Sequence, residues 1–138
     1  MPGRLQSEIR QSRPFPHPAD EAFLNLLRTA DWLLQPVEEI LRSFGLTHPQ
    51  YNVLRILAGA GAAGLPCGEI SKRLITRDPD ITRLLDRMQK LGHVERGRGI
   101  EDRRVVRAHI TRLGPDKLEQ LTGILEDIRI QIVIVASK

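Results

Sequence analysis

Arg83 and Arg87 stand four residues apart in the run Thr82-Arg83-Leu84-Leu85-Asp86-Arg87-Met88-Gln89-Lys90. On a helix that spacing puts both arginines on one face, a turn apart. A planar guanidinium can bond a guanine edge or a phosphate at two points at once. Thr82, beside Arg83, could meet a base or a phosphate. Asp80 is unusual in this company, because a carboxylate repels phosphate. It suits a cytosine amino group or, more simply, the positive start of a helix. The competing reading for Arg83 is an ion pair with Asp80 or Asp86, each three residues away. For Arg87 it is a solvated face.

Cations continue on both sides of this run. Arg98 lies between Gly97 and Gly99, which predicts a flexible tip, and a cation there can enter a narrow, strongly negative minor groove. Arg103 is a further candidate for backbone contact, with a mobile charged loop as the alternative. Ser71, Lys72 and Arg73 could position the domain through phosphates without reading sequence. Lys72 and Arg73 read equally well as an ordinary charged surface.

The charge balance agrees with this localisation. The chain has 138 residues and a net charge of +4. Between Ser71 and Arg112 twelve Lys/Arg face six Asp/Glu, so that stretch carries +6 and the remaining 96 residues −2. Positive charge gathered into under a third of a chain is the footprint of a polyanion partner, or else a basic surface. With 41% hydrophobic residues a packed core is expected, and the length suits one domain. No apolar run approaches the roughly 20 residues of a membrane helix. The first residues lack a basic-then-apolar signal, so a reducing cytoplasm is the expected compartment. One cysteine, Cys67, permits no internal disulfide.

The elements that must position these residues follow from periodicity and punctuation. Residues 1–19, with Pro2, Pro14, Pro16 and Pro18, predict an extended arm and no helix. Residues 20–46 predict a long scaffold or dimerisation helix, capped by Asp20, running to about Ser43 and ended by Gly45. Its stripe includes Phe23, Leu26, Leu27, Val37 and Leu41. Pro36 implies a kink or two abutting helices. Residues 47–113 hold the candidate binding region. Thr47 caps a helix with Pro49 just inside it, and Tyr51, Val53, Leu54, Leu57 and Ala58 form the buried stripe. The small-residue stretch 59–64 reads as a connector, since it lacks the Gly-Lys-Ser/Thr ending of a P-loop. A short helix runs from about Cys67 to Leu74. Asp78 as cap and Pro79 at the first position start the next, which buries Ile81, Leu84, Leu85, Met88 and Leu91 and stops at Gly92. His93–Arg96 and Arg103–Ile110 read as strands joined by the charged tip Gly97–Asp102. Residues 114–138 predict a final helix. There Leu118, Leu121, Leu125, Ile128, Ile132 and Val135 repeat at three and four residues, the seam of a coiled coil and a candidate dimer contact. A strand over 128–135 competes, because β-branched residues crowd those turns.

Two short helices, the second amphipathic with a cationic face, describe a helix-turn-helix, and the basic hairpin after it makes the winged variant. The fold class is therefore mainly α with a small β-hairpin wing (α+β), flanked by long N- and C-terminal dimerisation helices. Three stretches resemble the MarR family of winged-helix transcriptional regulators. They are Gly45-Leu46-Thr47-His48-Pro49-Gln50-Tyr51, the run from Thr82 to Val94, and Asp102-Arg103-Arg104 followed by Ile110-Thr111-Arg112-Leu113-Gly114. The resemblance spans roughly residues 21 to 125. It implies a homodimer on pseudo-palindromic promoter DNA, often a repressor released by a small-molecule effector. Asp102 and Arg104 are similar to a paired carboxylate and arginine of the family, which implies that Asp102 orients an arginine and that Arg104 belongs to the DNA-binding set. A ligand pocket, where the family has one, implies residues such as Trp32, Phe44 and Tyr51, which also suit a core. Most members continue with a further helix, whereas this sequence stops at Lys138, which leaves the dimer architecture open.

Other chemistry is thinly represented. No nucleophile motif, carboxylate pair or cofactor fingerprint stands out, so no enzyme and no cofactor is expected. Cys67 falls near a helix start, where a thiolate is favoured, but reads better as a small structural residue. His17, His48, His93 and His109 have no helix-ligand spacing; only His93 and His109 could approach across the wing strands. The rival to a DNA-binding regulator is a winged-helix protein-interaction module.

Overall fold

The computed structural model describes residues 4–78, 80–111 and 113–137. Pro2, Pro79, Arg112 and Lys138 lie outside the described residues. The chain divides at Pro36 into two units.

In the first unit, α1 (Arg4–Glu8) corrects the expectation of an arm without helix. After Pro2 the prolines resume only at Pro14, which leaves room for a turn. Arg4 Nε bonds Glu8 Oε1 at 2.9 Å across that turn, and Leu5 is buried. Helix α2 (Pro18–Ser43) begins on Pro18. Asp20 therefore sits inside the first turn, and its carboxylate accepts the His17 backbone N–H at 3.2 Å. The helix runs through Pro36 as one element. Phe23, Leu26, Leu27 and Trp32 are exposed on it.

The second unit holds the core. Val37 and Leu41, from the end of α2, pack with Leu46, Tyr51, Leu54, Leu57, Ile70, Leu85, Met88, Val94, Ala108, Leu121 and Leu125. Helix α3 (His48–Ala60) starts as the sequence predicts. Thr47 Oγ1 accepts the Gln50 N–H while Gln50 Oε1 accepts the Thr47 N–H, a reciprocal cap. Ala58 is exposed, a correction to its predicted burial: it follows Leu54 by one turn on the same side but lies in the last turn of α3, past the buried stretch.

Strand β1 (Leu65–Pro66) was not anticipated. It adds a third strand to the wing sheet, whose order is β1-β3-β2, all antiparallel. Gly64 makes that approach possible. Its φ is +64°, and a Cβ there would run into the Ala108 carbonyl oxygen. Helix α4 (Cys67–Arg73) then leads to α5 (Ile81–Lys90). Gly92, at φ +78°, ends α5, and the His93 N–H returns to the Met88 carbonyl at 2.9 Å. This turn feeds directly into β2 (Val94–Arg98), which pairs with β3 (Val106–Ile110) from Val94↔Ile110 to Arg98↔Val106. Thr111 closes the base of the hairpin through its N–H to the His93 carbonyl, 3.0 Å, and its hydroxyl to the Gly92 carbonyl.

Helix α6 (Leu113–Ala136) continues through 128–135, so the competing strand is not formed. Its predicted seam is divided. Leu121 and Leu125 are fully buried in the chain's own core, so those two serve α3 and its neighbours, while Leu118 is half-buried against that core. Ile128 and Ile132 are partly exposed. Ile130, Val133, Ile134 and Val135 are more than half exposed.

Candidate nucleic-acid interface

Helix α5 owes its start to two carboxylates. Asp80, not Asp78, is the cap: its Oδ1 accepts the Arg83 N–H at 3.0 Å. Asp78 Oδ1 stands one step back and accepts the Asp80 N–H at 2.8 Å. Leu84, Leu85 and Met88 are buried, whereas Leu91 is 51% exposed, because the helix has already ended when the chain reaches it. Burying that face turns Thr82, Arg83, Arg87 and Lys90 to solvent.

The carboxylates proposed as partners of Arg83 are engaged elsewhere. Asp80 caps the backbone, and Asp86 pairs with Arg96 Nη2 of β2. Among the described residues no ion pair holds Arg83 or Arg87. Both guanidiniums keep their donors available on the exposed face. Asp80 Oδ1 is committed to the cap.

The wing departs from its predicted form in two ways. Arg98 is the last residue of β2, not the middle of a loose tip, and its Nη1 donates to the Arg103 carbonyl at 2.8 Å. Among the described residues Asp102 holds no guanidinium. Its Oδ1 accepts the Arg104 backbone N–H at 2.9 Å, a turn that orders the loop. Arg103 and Arg104 project as exposed side chains from the ordered tip. On α4, Ser71 is half-buried, and Lys72 and Arg73 both lie near Glu69, at 3.4 and 3.7 Å. Exposed pairs of this kind contribute about 1 kcal/mol at most and exchange readily for a phosphate.

Two fixing arginines escaped the sequence reading. Arg96 donates Nε to Gln89 at 2.9 Å as well as Nη2 to Asp86, and so braces β2 against α5. Arg107 donates to the carbonyls of Ala63 and Gly64 at 3.3 and 3.1 Å, which ties β3 to the approach of β1. Their alternation along the strands was the only available signal, and it does not name a partner. Arg77 is a further exposed cation just ahead of α5.

The residues suggested for a ligand pocket lie in different settings. Tyr51 is a core residue and Phe44 packs against the core, while Trp32 is half exposed in the first unit. A recess of about 650 Å³ lies beside the wing, lined by Ala62, Pro66, Arg98, Ile100, Arg107 and His109 among others. Cys67 packs against the core, and burial pushes its thiol pKa up, away from thiolate character. His109 pairs with Glu95 across the strands at 3.2 Å. His93 is instead buried, with Nε2 3.2 Å from the Lys117 ammonium of α6. Burial, then Lys117, holds its pKa below 6.5.

A family model described as the MarR family matches residues 44–105. The HTH-type transcriptional regulator PrsX of Escherichia coli is 35% identical over 86 residues, 62% of this chain and 52% of PrsX, so the chain spans about half of that relative's length. A MarR transcription factor from Planctomyces limnophilus, known as a crystal structure, is 37% identical with a TM-score of 0.73, covering 86% of each chain. The S. aureus MepR–DNA complex shares the fold at 22% identity, with a TM-score of 0.70 over 81% of each chain.

Proposed function

The chain belongs to the MarR family of transcriptional regulators, and from that premise we propose that it binds promoter DNA sequence-specifically as a homodimer. Helix α5 enters the major groove, where Thr82, Arg83 and Arg87 meet base edges or phosphates. The wing places Arg98, Arg103 and Arg104 over the adjacent backbone and minor groove. Ser71 and Lys72 of α4 supply positioning contacts. The observation that carries this reading is the cationic face of α5, whose neighbouring carboxylates are committed to Arg96 and to the helix cap.

Self-association is supported by the apolar side chains that α6 leaves exposed, Ile130, Val133, Ile134 and Val135, and separately by Phe23, Leu26 and Leu27 on α2. Two recognition helices then lie about 34 Å apart, one turn of duplex, which calls for a twofold operator. Repression by occlusion in the cytoplasm, relieved when a small effector changes that spacing, completes the family expectation. No helix among the described residues is long and apolar enough to cross a membrane.

Selection of duplexes from a random pool tests the reading. It predicts enrichment of an inverted repeat, bound more weakly by Arg83→Ala. Enrichment of no duplex at low salt contradicts it.

A further inference from the structure

The tip of the wing exposes an aliphatic side chain where a charged loop would need none. Ile100 is 100% exposed. The loop that carries it is ordered. The Gly99 N–H bonds the Val105 carbonyl at 2.9 Å, and the Val105 N–H bonds the Asp102 carbonyl at 3.2 Å. Asp102 Oδ1 holds the Arg104 N–H, and Arg98 Nη1 holds the Arg103 carbonyl. Ile100 therefore stands out from a fixed platform, with no packing role in the chain itself.

The surroundings indicate what covers it. Arg98, Arg103 and Arg104 ring the tip, against Glu101 and Asp102, and the Asp102 carboxylate is already turned to the backbone. A predominantly cationic tip suits a polyanion, whereas an apolar protein surface would have to desolvate the arginines. Inside a minor groove, arginines can reach the negative floor and the phosphates while an aliphatic side chain packs on sugars or wedges a base step.

We propose that Ile100 is such a wedge, set by the wing into the minor groove beside each half-site, where it reads how easily a base step deforms. This rests on the DNA-binding reading above and adds a specificity element to it. Wedging favours flexible pyrimidine–purine steps over stiff A-tracts at positions that no hydrogen bond reads.

The experiment uses the full chain and the duplex that the wild type selects. Ile100→Ala and Ile100→Leu are titrated on that duplex and on versions with a TA step or an A-tract at the flanking position. A second readout places 2-aminopurine at that step. The wild type is expected to brighten the probe by unstacking it and to prefer the TA version. Ile100→Ala is expected to bind roughly tenfold more weakly, from the lost aliphatic burial, with an unchanged salt slope because no phosphate contact is lost. It should lose both the step preference and the probe signal, and Ile100→Leu should retain them. Ile100→Ala binding within about twofold of wild type, with the same step preference, overturns the proposal. Wild type that enriches no duplex overturns the DNA-binding reading and this inference together, whereas a wild type that binds beside an indifferent Ile100→Ala overturns the wedge alone.

Discussion

Arg96 of β2 reaches the Asp86 carboxylate on α5, joining the wing to the recognition helix through one guanidinium that also holds Gln89. The pair orients the wing and α5 relative to each other and takes Asp86 away from Arg83. Arg96→Ala and Asp86→Ala should each lower stability by about 1 kcal/mol, and the double variant by little more than either. Both should weaken DNA binding although neither side chain is assigned a DNA contact. Arg96→Lys should not rescue, since an ammonium cannot fork to Asp86 and Gln89. Additive losses in a urea double-mutant cycle would contradict the pairing.

Gly64 is required by conformation and by space. Gly64→Ala places a Cβ against the Ala108 carbonyl at a left-handed φ, so a loss of about 2 kcal/mol or more is expected. The urea midpoint measures it. A midpoint equal to wild type would show that β1 does not depend on this approach.

His93 makes stability sensitive to acid. In the unfolded chain its imidazole titrates near 6.5, and in the fold burial and Lys117 hold it lower. The unfolded state therefore binds the extra proton as pH falls. Stability is full above about pH 6.5 and is lost as pH drops toward the folded value. His48, shifted the same way chiefly by burial, adds to the slope. Protonating His93 would also set two cations 3.2 Å apart. His93→Gln, which keeps an acceptor for Lys117, should lose less melting temperature than wild type between about pH 7.5 and 5.5. Equal losses would remove His93 from the account.

The two kinds of apolar residue on α6 should behave differently. Leu125→Ala, in the core, should cost about 2–5 kcal/mol of folding stability. Val133→Ser, 58% exposed, should leave the fold intact and weaken self-association roughly tenfold in sedimentation. Unchanged self-association would show that this stretch of α6 is not the contact between copies.

What could be read from the chain before its structure was whatever is written locally. Thr47 with Pro49 marks a helix start, the buried face of α5 follows from Leu84, Leu85 and Met88, and Gly92 marks its end. The features that escaped depend on distant parts of the chain. Leu65–Pro66 is too short to show an alternating pattern, and becomes a strand only because β3 lies beside it. Leu121 and Leu125 repeat like a dimer seam, but periodicity cannot say whether the covering surface is α3 of the same chain or another copy. The same holds for Arg96, ten residues from Asp86, whose partner is set by the turn at Gly92. On the candidate site, the cationic residues of α5 were legible as side chains, while the hydrogen bonds that Asp80, Arg98 and Asp102 make to the backbone are not revealed by residue types.

The central claim is that the exposed face of α5 meets DNA through its free arginines. The most direct measurement is the affinity of wild type and Arg83→Ala for the selected duplex from about 50 to about 200 mM salt. The account predicts a loss of orders of magnitude for wild type, and a weaker complex with reduced discrimination against scrambled duplex for Arg83→Ala. Affinity indifferent to salt, or an Arg83→Ala protein that binds and discriminates like wild type, would contradict it.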